Sequence, residues 1–145
     1  MNYEQLKLEN QLCFPLYAAS REVVKKYKPF LDDIGLTYTQ YIVMMVLWEE
    51  SPMNVKALGK RLYLDSGTLT PLLKKLEKDG IVTRSRSDKD ERELIVSLAK
   101  KGALLREQAA AIPAKIGACI NLSSEEAARL YGLLYKIIGQ LEHAE

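Results

Sequence analysis

The clearest periodicity in the chain lies between Leu64 and Asp79, LDSGTLTPLLKKLEKD, where Leu69, Leu72, Leu73 and Leu76 recur at i, i+3, i+4 and i+7. That spacing predicts a helix with one apolar stripe turned toward a core. Ser66, Thr68, Thr70, Lys74 and Lys78 fall on the other side, with Lys75 near the edge, so hydroxyls and ammonium groups share a face that can lie on a polyanion. A plain surface helix with a solvated lysine face has the same pattern. Asp65, Ser66 or Thr68 can cap its first turn, Pro71 falls early in it, and Gly80 stands where a C′ glycine ends a helix.

Upstream, Leu12, Leu16, Ala19, Val23 and Tyr27 repeat on one face and predict a long first helix over residues 4–31. Pro15 lies inside it and predicts a bend or an interruption; Pro29 lies near its end. Cys13 and Tyr17, four residues apart, share a face offset from the stripe. Thr37 with Gln40 forms a capping box, and Leu36 with Tyr41 a hydrophobic staple. The run that follows, YIVMMVLW, is apolar on nearly every side, as a central buried helix requires. Pro52 breaks the chain and Asn54 offers a cap. Val55, Leu58 and Leu62 then make a short amphipathic helix that turns through residues 63–65 into the lysine-faced one.

Two such helices joined by a tight turn form a helix-turn-helix. Past Gly80, IVTRSRS and ELIVSL read as strands around the charged loop DKDER. They predict a β-hairpin wing with Arg84 and Arg86 on the first strand and Lys89 and Arg92 at or beside the tip. A hairpin that only covers the core explains the strands but not the arginines. The remainder is helical: an Ala-rich stretch over residues 100–120 kinked at Pro113, then a second capping box at Ser123 and Glu126. A long stripe follows at Leu130, Leu133, Leu134, Ile137, Ile138 and Leu141. The fold class is mainly α with a small β-hairpin, in one domain spanning 1–145. The winged helix covers about 36–98, and helices for dimerisation cover about 4–31 and 100–143. One small core does not obviously cover both terminal stripes. A two-fold dimer buries the surplus and holds two recognition helices about 34 Å apart, one turn of B-DNA.

Charge sharpens this picture. The net charge is only +2, but residues 56–92 hold ten Lys/Arg against six Asp/Glu, leaving the other 108 residues at −2. Cationic character thus gathers around the predicted helix-turn-helix and wing, as an interface with double-stranded DNA requires. No apolar run is long enough to span a membrane and no signal-peptide pattern opens the chain, so a cytoplasmic protein is expected. Cys13 and Cys119 lie far apart, and reduced thiols are the default there. Zinc spacings and CxxC are missing, and the only histidine, His143, stands near the end. No metal, no cofactor and no histidine-based catalysis are therefore expected.

Four blocks then fall in order: QLCF at 11–14, YKP at 27–29, LTYTQY at 36–41 and LDSGTLTP at 64–71, with DER at 90–92 in the hairpin. Together they resemble the MarR winged-helix transcriptional regulators, in their organic-hydroperoxide-sensing branch. The resemblance covers nearly the whole chain. It implies a homodimeric repressor on a pseudo-palindromic operator, with the recognition helix in the major groove and the wing in the minor groove. By the same resemblance Cys13 is the peroxide-sensing cysteine, and Tyr27 and Tyr38 donate hydrogen bonds toward that sulfur from the partner subunit. Asp90 positions Arg92 in the minor groove. Cys119 matches by position the resolving thiol of two-cysteine members, and Pro15 departs from the branch's pattern beside Cys13.

The chemistry follows from these residues. A thiolate attacks the peroxide, so a sensor cysteine needs a pKa below the free value of about 8.5. Phenolic donors favour the sulfur anion, and their rings make an apolar pocket for an organic peroxide tail. Tyr17 completes either that pocket or a packing cluster. The resulting sulfenic acid can condense with Cys119 of either subunit or be capped by a small thiol. The expected protein is a regulator that releases its operator on oxidation, and not an enzyme. A thiol peroxidase would need helix-terminal Arg/Thr-rich surroundings that the chain lacks. The alternative within the same fold is a non-covalent aromatic ligand in the dimer cleft.

Overall fold

The computed structural model describes residues 2–142. His143, and with it the last position of the expected 100–143 helical region, lies outside the described residues. The chain divides into two compact units, the first ending at Ile112 and the second starting at Pro113.

In the first unit, two single-turn 3-10 helices, Glu4–Leu6 and Leu8–Asn10, precede α1, which runs Cys13–Asp32. The expected helix over 4–31 is therefore shorter at its start. Pro15 explains the difference: its ring clashes with the carbonyl four residues back, at Gln11, so the helix cannot extend to that carbonyl. In α1 Pro15 is the third residue, where a missing N–H has no intrahelical partner to lose. The arm ahead of it is held by Asn10, whose amide donates to the Glu4 carbonyl at 2.7 Å. Gln11 likewise donates to the carbonyls of Gln5 and Lys7.

Helix α2, Tyr38–Glu49, begins with both halves of the Thr37/Gln40 capping box. It is the hub of the core: Val43 and Met44 are completely buried, and Tyr41, Val46 and Leu47 nearly so. Around it pack α3 (Val55–Leu62), capped by the Asn54 side chain, and α4 (Ser66–Lys78), capped by Asp65. Gly59 lets these two approach, because a Cβ there would come within 2.7 Å of the Leu64 carbonyl oxygen. Leu69, Leu73 and Leu76 of the α4 stripe are buried as the spacing predicts. Gly80, at φ 76°, ends α4: its amide donates to the Glu77 carbonyl and that of Ile81 to the Leu76 carbonyl, the paired bonds of a Schellman cap.

Strands β2 (Val82–Arg86) and β3 (Leu94–Leu98) form the expected hairpin, with Arg84 opposite Val96. A third strand, β1 (Met53–Asn54), pairs antiparallel with β3 and gives the sheet order β1-β3-β2. Helix α5, Lys100–Ala109, follows. The kink expected at Pro113 is a break: α6 starts anew at Ile112. Ala109, the last residue of α5, is four residues before Pro113 and carries the carbonyl that the proline ring excludes.

The second unit holds most of α6 (Ile112–Cys119) and α7 (Ser124–Glu142). The Ser123/Glu126 capping box is present in both directions, at 3.0 and 3.1 Å. No residue of α7 is buried within the protomer. Leu130, Leu133 and Leu141 of its stripe are exposed.

Candidate functional site

Three tyrosines converge where α1 packs on α2. The Tyr27 and Tyr38 ring centroids are 5.0 Å apart, and Tyr41 lies 5.7 Å from the first and 6.4 Å from the second. Tyr27 and Tyr38 are half-buried, whereas Tyr41 is buried and meets Trp48 edge-on at 6.5 Å. Burial pushes all three phenol pKa values up, and the neighbouring phenols add to the effect at Tyr27 and Tyr41. The hydroxyls accordingly keep their protons at neutral pH and are available as donors.

Cys13 is the first residue of α1 and is exposed. Tyr27 lies fourteen positions further along the same continuous helix, which at 1.5 Å per residue is about 21 Å. A protomer therefore cannot bring its own Cys13 to its own tyrosine pair. Around Cys13 the apolar side chains of Leu12, Phe14 and Leu16 are exposed, Leu12 at 81%. Tyr17, one turn on, is engaged within α1: Arg21 donates to its hydroxyl at 3.3 Å and stacks 5.5 Å from the ring centroid. It stands apart from the tyrosine cluster. Cys119 closes α6 in the second unit; it is exposed, and its thiol donates to the Lys115 carbonyl at 3.4 Å. Among the described residues no group of His, Cys, Asp or Glu is arranged to hold a metal ion. No helix of the described chain is long and apolar enough to cross a membrane.

The second assembly is the polar face of α4 and the wing. Asp65 accepts the Thr68 amide at 2.7 Å, which fixes the first turn; the Thr68 backbone bond, helped by its hydroxyl, holds the Asp65 carboxyl below the usual carboxylate range. Ser66, Thr68 and Lys74 are exposed and Thr70 is half-buried, while exposed Lys75 pairs with Asp79 at 3.3 Å. At the wing tip, one Asp90 carboxylate oxygen accepts both the Arg92 amide at 3.0 Å and its Nε at 3.4 Å. The Arg92 side chain is held outward, 92% exposed. Arg92, Asp90, Ser66 and Lys56 line one groove of 640 Å³ between α4 and the wing, and Thr70, Lys74, Arg84 and Arg86 line a second beside it.

Arg84 lies on the first strand of the wing as the sequence predicts, but it is turned toward α4. Its side chain is only 17% exposed, and its guanidinium donates to Glu77 Oε1 at 3.1 Å while its amide donates to Glu77 Oε2 at 3.2 Å. It fastens β2 to α4, and Arg86 is the exposed arginine of that strand.

A family model described as transcriptional regulator SarA/Rot matches residues 25–108. The organic hydroperoxide resistance transcriptional regulator of Bacillus subtilis (strain 168) is 49% identical over 139 residues, covering 96% of this chain and 95% of that one. The chain belongs to the MarR family of winged-helix regulators, in its organic-hydroperoxide branch. Another MarR-family structure, AbfR of Staphylococcus epidermidis in its reduced form bound to DNA, is 38% identical with a TM-score of 0.80, covering 99% of this chain and 98% of that one. Disulfide-formed AbfR matches with a TM-score of 0.61 at the same identity, over 97% and 93%.

Two residues of this MarR-family site escape a reading of the sequence. The sequence reads Tyr41 as half of a hydrophobic staple, and in the structure its ring also completes the tyrosine cluster; the i+3 spacing from Tyr38 is the signal for it. Glu77 sits on the polar side of α4, and nothing in its spacing points to a strand seven residues away.

Proposed function

We propose that the chain is a homodimeric, redox-sensing transcriptional repressor that binds a pseudo-palindromic DNA operator and releases it when Cys13 is oxidised by an organic hydroperoxide. The observation that carries this reading is the separation within one protomer of an exposed Cys13 from a proton-bearing tyrosine cluster about 21 Å along α1. In an antiparallel, two-fold arrangement the partner's cluster fills that gap, and the exposed apolar faces of the N-terminal region and α7 supply the surface for it. On this reading the whole chain works as one unit. Residues about 36–98 meet DNA, and the terminal helical regions form the dimer.

The Cys13 thiolate attacks the peroxide, an S–O bond forms as the O–O bond breaks, and the leaving alkoxide takes a proton from solvent to become an alcohol. Sulfur is oxidised and the peroxide reduced. Condensation of the sulfenic acid with the Cys119 thiol then gives a disulfide and expels water. Exposure of both sulfurs supports this step. A disulfide compatible only with wrongly spaced recognition helices shifts the population away from the DNA-bound form.

On DNA, Ser66, Thr68 and Thr70 face the major groove, Lys74, Lys75 and Arg86 the phosphates, and Arg92, braced by Asp90, the minor groove. The test is operator binding by mobility shift beside non-reducing electrophoresis, after one equivalent of an organic hydroperoxide. The expected result is loss of the shifted band in step with Cys13 oxidation, in the wild type and not in Cys13→Ser. Full oxidation of Cys13 with undiminished operator binding would overturn the reading.

A further inference from the structure

Trp48, the chain's only tryptophan, lies between the tyrosine cluster and the backbone that ends the recognition helix. On one side its ring meets Tyr41 edge-on, and Tyr41 in turn touches Tyr27 and Tyr38. On the other, its indole Nε1 donates to the Gly102 carbonyl in α5 at 2.9 Å, a bond joining positions 54 residues apart.

Gly102 has no slack. It is buried, and a Cβ there would overlap the Ile81 carbonyl, so the α5 backbone lies directly on Ile81. Ile81 is the residue whose amide closes the Schellman cap of α4 on the Leu76 carbonyl, and its own carbonyl accepts the Ala99 amide at 3.0 Å. Lys101, beside Gly102, donates to the Asp79 carbonyl at 3.1 Å, at the same helix end. A displacement of the Gly102 carbonyl therefore falls on the C-terminal end of α4, because packed backbone shifts as a body and does not compress.

We propose that Trp48 is a positioning residue that transmits the state of the tyrosine cluster to the recognition helix. The link runs through Tyr41 on one face and the Gly102 carbonyl on the other. This rests on the proposed function, in which the cluster receives the oxidised sulfur of a second subunit. When the rings shift to accommodate that sulfur, Tyr41 moves the indole. The Nε1 hydrogen bond carries the movement to Gly102, and Ile81 carries it to α4. The distinct demand on Trp48 is the pairing of an aromatic edge with an N–H donor. Phenylalanine supplies the first and not the second.

The test compares wild type with Trp48→Phe in three measurements on the full-length dimer. These are operator affinity when reduced, the rate of Cys13 oxidation by cumene hydroperoxide followed by mass, and operator affinity after oxidation. Trp48→Phe should bind the operator within twofold of wild type when reduced and oxidise at the wild-type rate. Once oxidised, it should hold the operator at least tenfold more tightly than oxidised wild type. Release equal to that of wild type overturns the proposal. The native protein gives an independent readout that needs no variant at Trp48. Emission from the single indole should change on oxidation in wild type and stay constant in Cys13→Ser. Constant emission in wild type while the operator is released also overturns the proposal. Wild type that keeps its operator with Cys13 fully oxidised removes the repressor reading itself, a failure distinct from either of these.

Discussion

Glu77 of α4 holds Arg84 of β2 twice, accepting its backbone amide on one carboxylate oxygen and its guanidinium on the other. The wing therefore does not hang from the recognition helix by chain connectivity alone. Glu77→Ala leaves a largely covered guanidinium without its partner, at a cost of roughly 1–2 kcal/mol once the partial exposure of Glu77 is discounted. Urea unfolding should show a lower midpoint at unchanged slope. Operator affinity should fall as well, although Glu77 itself carries the wrong charge to touch DNA.

Arg92 and Lys74 should fail differently. Asp90 holds Arg92 outward, and on the proposed reading, in which it enters the minor groove, Arg92→Ala should cost about 1–3 kcal/mol of operator binding. On the proposed DNA face Lys74→Ala removes one phosphate contact per subunit, two per dimer, which should lower the slope of log K against log salt by about 1.8. Titrations by fluorescence anisotropy at several salt concentrations separate the two. Unchanged affinity and slope in both variants would remove the DNA face described above.

Intersubunit assembly of the sensor predicts complementation. A Cys13→Ser chain keeps its tyrosines, and a Tyr27→Phe/Tyr38→Phe chain keeps its cysteine. The first homodimer has no sensing sulfur and the second should react slowly with peroxide, while the mixed dimer contains one intact site and should recover about half of the wild-type fast phase. Stopped-flow oxidation of mixed dimers checks this. No recovery would mean that cysteine and tyrosines act within one chain.

The raised phenol pKa values set a pH dependence. A group whose pKa is higher in the folded protein stabilises the fold fully below its unfolded pKa, about 10 for tyrosine, and that stabilisation is lost as pH rises through the folded value. Stability should thus decline in the alkaline range, and less steeply in Tyr38→Phe than in wild type. Urea midpoints measured from pH 8 to pH 11 give the comparison.

Gly59→Ala should destabilise the helix-turn-helix by about 1–3 kcal/mol, since the added methyl meets the Leu64 carbonyl, a backbone atom that cannot step aside. The thermal midpoint is the readout.

What the chain discloses by itself follows the range of the interaction. The Thr37/Gln40 and Ser123/Glu126 boxes, the Gly80 cap and the α4 stripe are set by residues within a few positions of one another, and all are present as the spacing predicts. Strand β1 is two residues long and has no period to detect; it exists because β3 offers it an edge. Alternation along β2 says that Arg84 and Arg86 share a face but not that Glu77 reaches one of them. The start of α1 at Cys13 was a competition between an apolar stripe and the steric veto of Pro15, and the veto prevailed. Cys13, Tyr27 and Tyr38 were legible as candidates through their sequence blocks. That Tyr38 and Tyr41 of α2 close around Tyr27 took the packing of α1 on α2. That Cys13 and Tyr27 are separated follows from their spacing along the predicted first helix.

That spacing has a consequence in time as well as in space. On the proposed arrangement a newly synthesised chain carries half of each of two detectors and is blind to oxidant until it meets a second copy. Sensitivity to peroxide then switches on with the concentration of the repressor itself, and a cell that dilutes the protein below its pairing threshold loses alarm and silencer together.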